Sequence, residues 1–175
     1  VKLAFGSKAR SGKDTAAEYL TSLYGGTSFK FASAIYDISR YAYTRAGLPF
    51  EKNAKLLQFL GTDFGRSIDK DIWVKSCLAD IQRFEDVNSV ENIFVTDCRF
   101  ENEADALKQS GFVLVQIDRS ADLRGDIGRD PNHPSEIALD HYTRWDYTIG
   151  NNGTLEEFHN KIHTLYLQLL DSSPQ

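Results

Sequence analysis

Apolar positions along the chain fall into two registers that alternate. Val1 to Phe5 is a short run broken only by Lys2 and ending at Gly6, the pattern of a buried strand. From Lys13 to Tyr24 the apolar residues Ala16, Ala17, Leu20 and Leu23 recur at helical spacing, and Gly25-Gly26 stops the segment. Thr27 to Phe31 reads as a second strand. Ala34 to Ala46, Ala54 to Arg66 and Ile72 to Phe84 read as helices, broken near Pro49 and Asp69. Asn92 to Thr96 forms a third strand closed by Asp97, Glu101 to Gln109 a helix, and Phe112 to Asp118 a fourth strand rich in Val and Ile. Leu123 to His133 carries Gly, Pro and Asn breakers among charges and is expected to be a mobile loop. A short helix capped by Ser135 follows, then a fifth strand at Tyr147 to Ile149. A final helix spans Thr154 to Leu170, with Phe158, Ile162, Leu165 and Leu169 as its buried stripe.

Strands alternating with helices predict an α/β fold: a five-stranded, mainly parallel sheet with helices on both faces. A length of 175 residues suits a single domain over the whole chain. Ligands of such folds lie at the carboxyl ends of the strands, where the polar segments after Phe5, Thr96, Asp118 and Ile149 fall.

Composition narrows the partners. A net charge of −5 argues against a nucleic-acid polymer as ligand, since that needs a basic face. A small anion needs only a local cluster of Lys and Arg. No apolar run of about eighteen residues is present, so no membrane span is expected. Cys77 and Cys98 have no CxxC neighbour, which suits two free thiols in a reducing cytoplasm. Assembly as a homodimer stays open.

The candidate chemistry begins at Ser7-Lys8-Ala9-Arg10-Ser11-Gly12-Lys13-Asp14-Thr15, between a strand and a helix. This is close to the phosphate-loop pattern G-x-x-x-x-G-K-[ST], with Ser7 in place of the first Gly and Asp14 in place of the hydroxyl residue. Backbone N–H groups from Ala9 to Thr15, including those of Arg10, Ser11 and Gly12, form an anion nest at a helix N-terminus. Lys13 is expected to neutralise the β- and γ-phosphates, Thr15 to reach the α-phosphate, and Asp14 to hold Mg²⁺, a hard cation that takes oxygen ligands. The plain alternative is a glycine turn capped by Ser11.

Four segments resemble the deoxynucleoside monophosphate kinases of tailed bacteriophages. They are Ala9-Arg10-Ser11-Gly12-Lys13-Asp14-Thr15; Leu56 to Arg66 (LLQFLGTDFGR) with Trp73 after it; Val95 to Asp105 (VTDCRFENEAD); and His133-Pro134-Ser135-Glu136 followed by Asn151-Asn152-Gly153-Thr154-Leu155. The resemblance implies a P-loop kinase fold with a helical acceptor-binding insertion at about 33–86 and a lid at about 119–136. It implies ATP as donor, Mg²⁺ as cofactor, and a deoxynucleoside monophosphate as acceptor, in a reaction that supplies DNA precursors. Ala9 replaces a basic residue common in the family, with Lys8 one place earlier, and Tyr36 stands where many members carry Lys.

Asp97, at a strand end, suits a second Mg²⁺ carboxylate; a helix N-cap is its structural alternative. Arg99 and Arg66 are candidates to fork the acceptor phosphate, with Lys8 beside them. Arg124 and Arg129, in the breaker-rich loop, are candidate lid cations for the transferred phosphoryl; Arg119 more simply ends the fourth strand. Gln58, Asp63, Phe31 and Trp73 are candidates for the acceptor's base pocket, with core packing the alternative for the two aromatics. Asn151 and Asn152 suit the place where related kinases hold adenine, or an Asn-Gly turn. His159 and His163 lack a third ligand and are expected on the helix flank.

Other readings remain open at this level: a P-loop kinase for phosphomevalonate or dephospho-coenzyme A, or a nucleotide-binding module without turnover. A hydroxyl acceptor would need a base, for which Asp63 or Asp37 is placed.

Overall fold

The computed structural model describes residues 1–89, 92–125 and 131–172. Five strands form one sheet in the order β2-β3-β1-β4-β5. They are β1 (Lys2–Gly6), β2 (Thr27–Phe29), β3 (Ile93–Cys98), β4 (Val113–Asp118) and β5 (Tyr147–Gly150). β1 runs parallel to both β3 and β4, with Ala4 opposite Val95 and Leu114, and β4 runs parallel to β5. A central strand buried on both faces must be apolar throughout, and Leu3, Ala4 and Phe5 are all fully buried.

The two faces of β1 are covered by different helices. Leu3 and Phe5 share a core cluster with Ala16, Ala17 and Leu20 of α1 (Lys13–Tyr24) and Phe158, Ile162 and Leu165 of α9 (Leu155–Ser172). Ala4 points the other way, toward the side where α6 (Glu101–Gln109) packs on β1 and β4. All five strands and the helices α1, α6 and α9 were legible in the hydrophobic pattern to within two residues at each end. β3 continues to Cys98, so Asp97 lies within the strand rather than closing it, where the register with β1 shifts between Val95 and Cys98.

The chain folds as two compact units, Val1–Ser28 with Ser89–Gln175, and Phe29–Asn88. The second unit holds α2 (Ser33–Arg45), α3 (Ala54–Gln58), α4 (Gly65–Ile68) and α5 (Ile72–Val87). The single helix expected over Ala54 to Arg66 is instead interrupted by a widened π-type turn at Phe59–Phe64. Trp73 accounts for the interruption. Its indole N–H donates to the Gly61 carbonyl at 2.7 Å, and its ring lies where a side chain on Gly65 would be. A carbonyl turned toward an indole is withdrawn from the helical ladder, and a wider turn lets that happen.

Candidate active site

The loop after β1 is held in an unusual backbone state. Gly12 has φ 110°, and Ser7 and Arg10 have φ 148° and 58°. Positive φ at a non-glycine residue costs energy and persists where surroundings impose it. It also explains why Gly is usual at the place Ser7 occupies. Gly12 leaves no room for a side chain, because Asn151 and Phe158 lie against it. The loop then enters α1, whose first turn contains Lys13, Asp14 and Thr15.

Lys13 is only 5% exposed. Its ammonium donates to the carbonyl oxygens of Ser7, at 3.0 Å, and Lys8, and to the Ser11 hydroxyl at 3.2 Å. Burial is the largest influence on its pKa and the Arg99 guanidinium the next; together they push it down to about 7, against the opposing charges of Glu136, Asp14 and Asp97. An ammonium resting on loop carbonyls, with anion-seeking N–H groups around it, is arranged to receive a polyphosphate.

Asn151 is buried and donates to the Ser11 carbonyl at 2.8 Å, so its amide braces the loop. The Asn152 side-chain oxygen accepts from the Ser120 N–H, tying the segment after β5 to the segment after β4. Asp14 accepts a hydrogen bond from the Thr96 hydroxyl at 2.7 Å. Asp14 and Asp97 both act electrostatically on Lys13. They supply two hard oxygen donors beside the phosphate loop, which suits Mg²⁺, an ion that takes its remaining ligands from water and substrate phosphates. Among the described residues no group of three or more His, Cys, Asp or Glu gathers as a protein-only metal site.

Beside the loop lies a cleft of about 280 Å³, lined by Ser7, Lys8, Arg99, Arg119, Arg124 and Glu136 among others. Two of its cations have fixed protein partners: Lys8 pairs with Asp140, and Arg99 with Glu136 at 2.5 Å. The Nε atoms of Arg119 and Arg124 are buried with no hydrogen-bond partner among the described residues. A buried donor without a partner is costly, and an anion in the cleft would satisfy it. Arg124 belongs to the four-residue helix α7 (Ala121–Arg124), and Arg119 follows β4 directly.

The structure thus brings together Lys8, Arg10 to Thr15, Asp97, Arg99, Arg124, Asn151 and Asn152 within the first unit. Arg129, and with it part of the segment expected as a lid, lies outside the described residues. Phe31, Gln58, Asp63, Arg66 and Trp73 belong to the second unit. There Phe31 and Trp73 are buried, Gln58 and Asp63 are exposed, and Arg66 donates to the Lys70 carbonyl at 3.2 Å. Glu136 and Glu103 enter the site without having been assigned a role from sequence. Glu103 accepts from the N–H groups of Arg99 and Phe100 and so fixes the backbone that carries Arg99. The cap of α8 (Pro134–Ile137) is His133, whose Nδ1 accepts from the Ser135 N–H, and not Ser135 as expected. His159 stacks on Tyr19 at 4.0 Å and His163 bonds the Tyr24 hydroxyl, which gives both a packing role.

A family model described as deoxynucleotide monophosphate kinase matches residues 52–162. The chain belongs to the deoxynucleotide monophosphate kinase family. An Ictalurid herpesvirus 1 (strain Auburn) protein named "Uncharacterized protein ORF77" is 34% identical, over 93% of this chain and 68% of its own. An Acanthamoeba polyphaga mimivirus protein named "Putative deoxynucleotide monophosphate kinase" is 29% identical, over 87% of this chain and 89% of its own. Shikimate kinase from Aquifex aeolicus superposes with a TM-score of 0.57 at 14% identity, over 99% of this chain and all of that one, which fixes the fold as P-loop-kinase-like. Membership in the deoxynucleotide monophosphate kinase family carries ATP-dependent phosphoryl transfer to a small molecule. No helix among the described residues is long and apolar enough to cross a membrane.

Proposed function

We propose that this protein transfers the γ-phosphoryl group of ATP to a deoxynucleoside monophosphate, giving the diphosphate for DNA precursor supply. The observation that carries the reading is the buried Lys13 ammonium at a strained phosphate loop, directly beside a cleft where the Nε donors of Arg119 and Arg124 have no partner among the described residues. One anion, the donor polyphosphate, suits the loop. A second, the acceptor phosphate, suits the cleft.

In this reading the N–H groups of Arg10 to Thr15 cradle the β-phosphate and Lys13 holds the β- and γ-oxygens. Mg²⁺, held by Asp14 and Asp97, would neutralise charge on the transferring group. Arg99 forks the acceptor phosphate. Arg124 stabilises charge on the γ-phosphoryl as it moves; Arg129 is proposed for the same task. Lys8 sits at the cleft wall. Arg66, Gln58, Asp63, Phe31 and Trp73 are proposed for acceptor binding on the strength of family membership. Asn151 and Asn152 shape the nucleotide end of the loop. No protein base is required, because the attacking phosphate oxygen is already ionised at neutral pH.

A second reading is transfer to the hydroxyl of another small acceptor. It is favoured by half-buried Asp97 close enough to Lys13 to act on its charge, since a hydroxyl acceptor needs a carboxylate to take its proton. Product formation from ATP and Mg²⁺ with dAMP, dGMP, dCMP, dTMP and their ribo forms separates the two. Diphosphate product supports the first reading. ATP binding with no transfer to any nucleotide refutes it and leaves the second.

A further inference from the structure

We infer that Glu136 is a positioning residue, which sets the Arg99 guanidinium for the acceptor phosphate by anchoring it to the phosphate loop. The inference rests on the reading of the cleft given above.

Glu136 is 3% exposed, although it sits on a helix of only four residues. One carboxylate oxygen accepts from Arg99 Nη1 at 2.5 Å. The other accepts from the backbone N–H of Ala9 at 2.9 Å. A single side chain therefore joins the loop after β1, the segment after β3 and α8. A carboxylate is brought out of water only at a cost, which falls when both oxygens have charged or N–H partners, as here. The opposite end of Arg99 is fixed too, by the bond from its N–H to Glu103 at 2.8 Å. With backbone and one Nη held, the planar guanidinium has a set orientation in the wall of the cleft that Arg99 lines.

The task calls for a carboxylate. In Glu136→Gln the amide oxygen can still accept from Ala9. The amide NH₂ then faces Arg99 Nη1, donor against donor, or, with the amide turned over, the Ala9 N–H; in either orientation the bridge between the loop and the guanidinium is lost. Electrostatics alone predicts the opposite effect on the acceptor: removing a negative charge from the cleft would tighten an anionic ligand. The sign of the change distinguishes positioning from charge.

The test is steady-state kinetics of the whole protein, with ATP and each of dAMP, dGMP, dCMP and dTMP varied in turn. Glu136→Gln, Glu136→Asp, Arg99→Ala and the Glu136→Gln/Arg99→Ala double variant are compared, with thermal melting to confirm folding. In Glu136→Gln the acceptor KM rises about tenfold, the loss expected from one charge-assisted hydrogen bond, and by more than the ATP KM does. Glu136→Asp, one methylene shorter, cannot reach both partners and behaves alike. The double variant is no worse than Arg99→Ala alone, because the two residues act as one unit. A lowered or unchanged acceptor KM in Glu136→Gln, with a raised one in Arg99→Ala, overturns the inference and leaves Arg99 in the site. Unchanged acceptor kinetics in Arg99→Ala removes Arg99 from the acceptor site, and overturns both the reading of the cleft and the inference drawn from it.

Discussion

ATP binding to this protein should take up a proton at mildly alkaline pH. The source is Lys13, whose pKa without nucleotide is pushed down to about 7 by burial and by Arg99. At pH 8 an ammonium of that pKa is protonated in roughly one molecule in eleven. A bound polyphosphate supplies several negative charges at contact distance and restores the charged form. Binding at pH 8 should therefore take up roughly 0.9 proton, and the apparent Kd should rise about tenfold per pH unit above 7. Isothermal titration of Mg-ATP at pH 8 in buffers of different ionisation enthalpy counts the proton directly, because ATP itself is fully ionised there. Lys13→Arg is the control, since a guanidinium keeps its charge and should show no uptake. Arg99→Ala removes the second cause of the shift and should show less uptake than wild type. Wild-type binding with no proton uptake, and an affinity flat from pH 7 to 9, would refute the account of a depressed lysine.

The remaining predictions concern the same loop. Lys13→Ala should abolish transfer while leaving the circular dichroism spectrum unchanged; wild-type turnover by clean protein would remove the loop from the reaction. The folded Lys13 binds fewer protons than the unfolded one, whose pKa is the ordinary 10.5, between about pH 7 and that value. Stability should thus rise with pH across that window, and Lys13→Met should flatten the rise in chemical denaturation curves. Gly12→Ala places a methyl group at φ 110° against Asn151 and Phe158, and should cost on the order of 1–3 kcal/mol with loss of ATP binding. If Asp97 holds Mg²⁺, Asp97→Asn should raise the metal concentration for half-maximal rate while leaving metal-free nucleotide binding intact; an unchanged metal requirement would remove Asp97 from the metal site.

The alternation of apolar runs and helical stripes determined the sheet, its parallel sense and α1, α6 and α9, because each depends on burial of a local pattern. The phosphate loop was legible for a related reason: its residues are contiguous and sit between a strand and a helix. The break at Phe59–Phe64 was not legible, because its cause is Trp73, which packs back onto Gly61 and Gly65. Nor was the job of Glu136, whose partners are 127 and 37 residues away. Lysine type at position 13 is in the sequence, but its lowered pKa is not, since burial and the nearness of Arg99 arise only when separate strands close the site. The sequence by itself determined which charges this protein carries to the ends of its strands. The tertiary structure decided which of them are paired with one another, as Arg99 is with Glu136, and which, like the Nε atoms of Arg119 and Arg124, are buried without a partner among the described residues. Pairing depends on distance and on exclusion of water, and neither is a property of a linear chain.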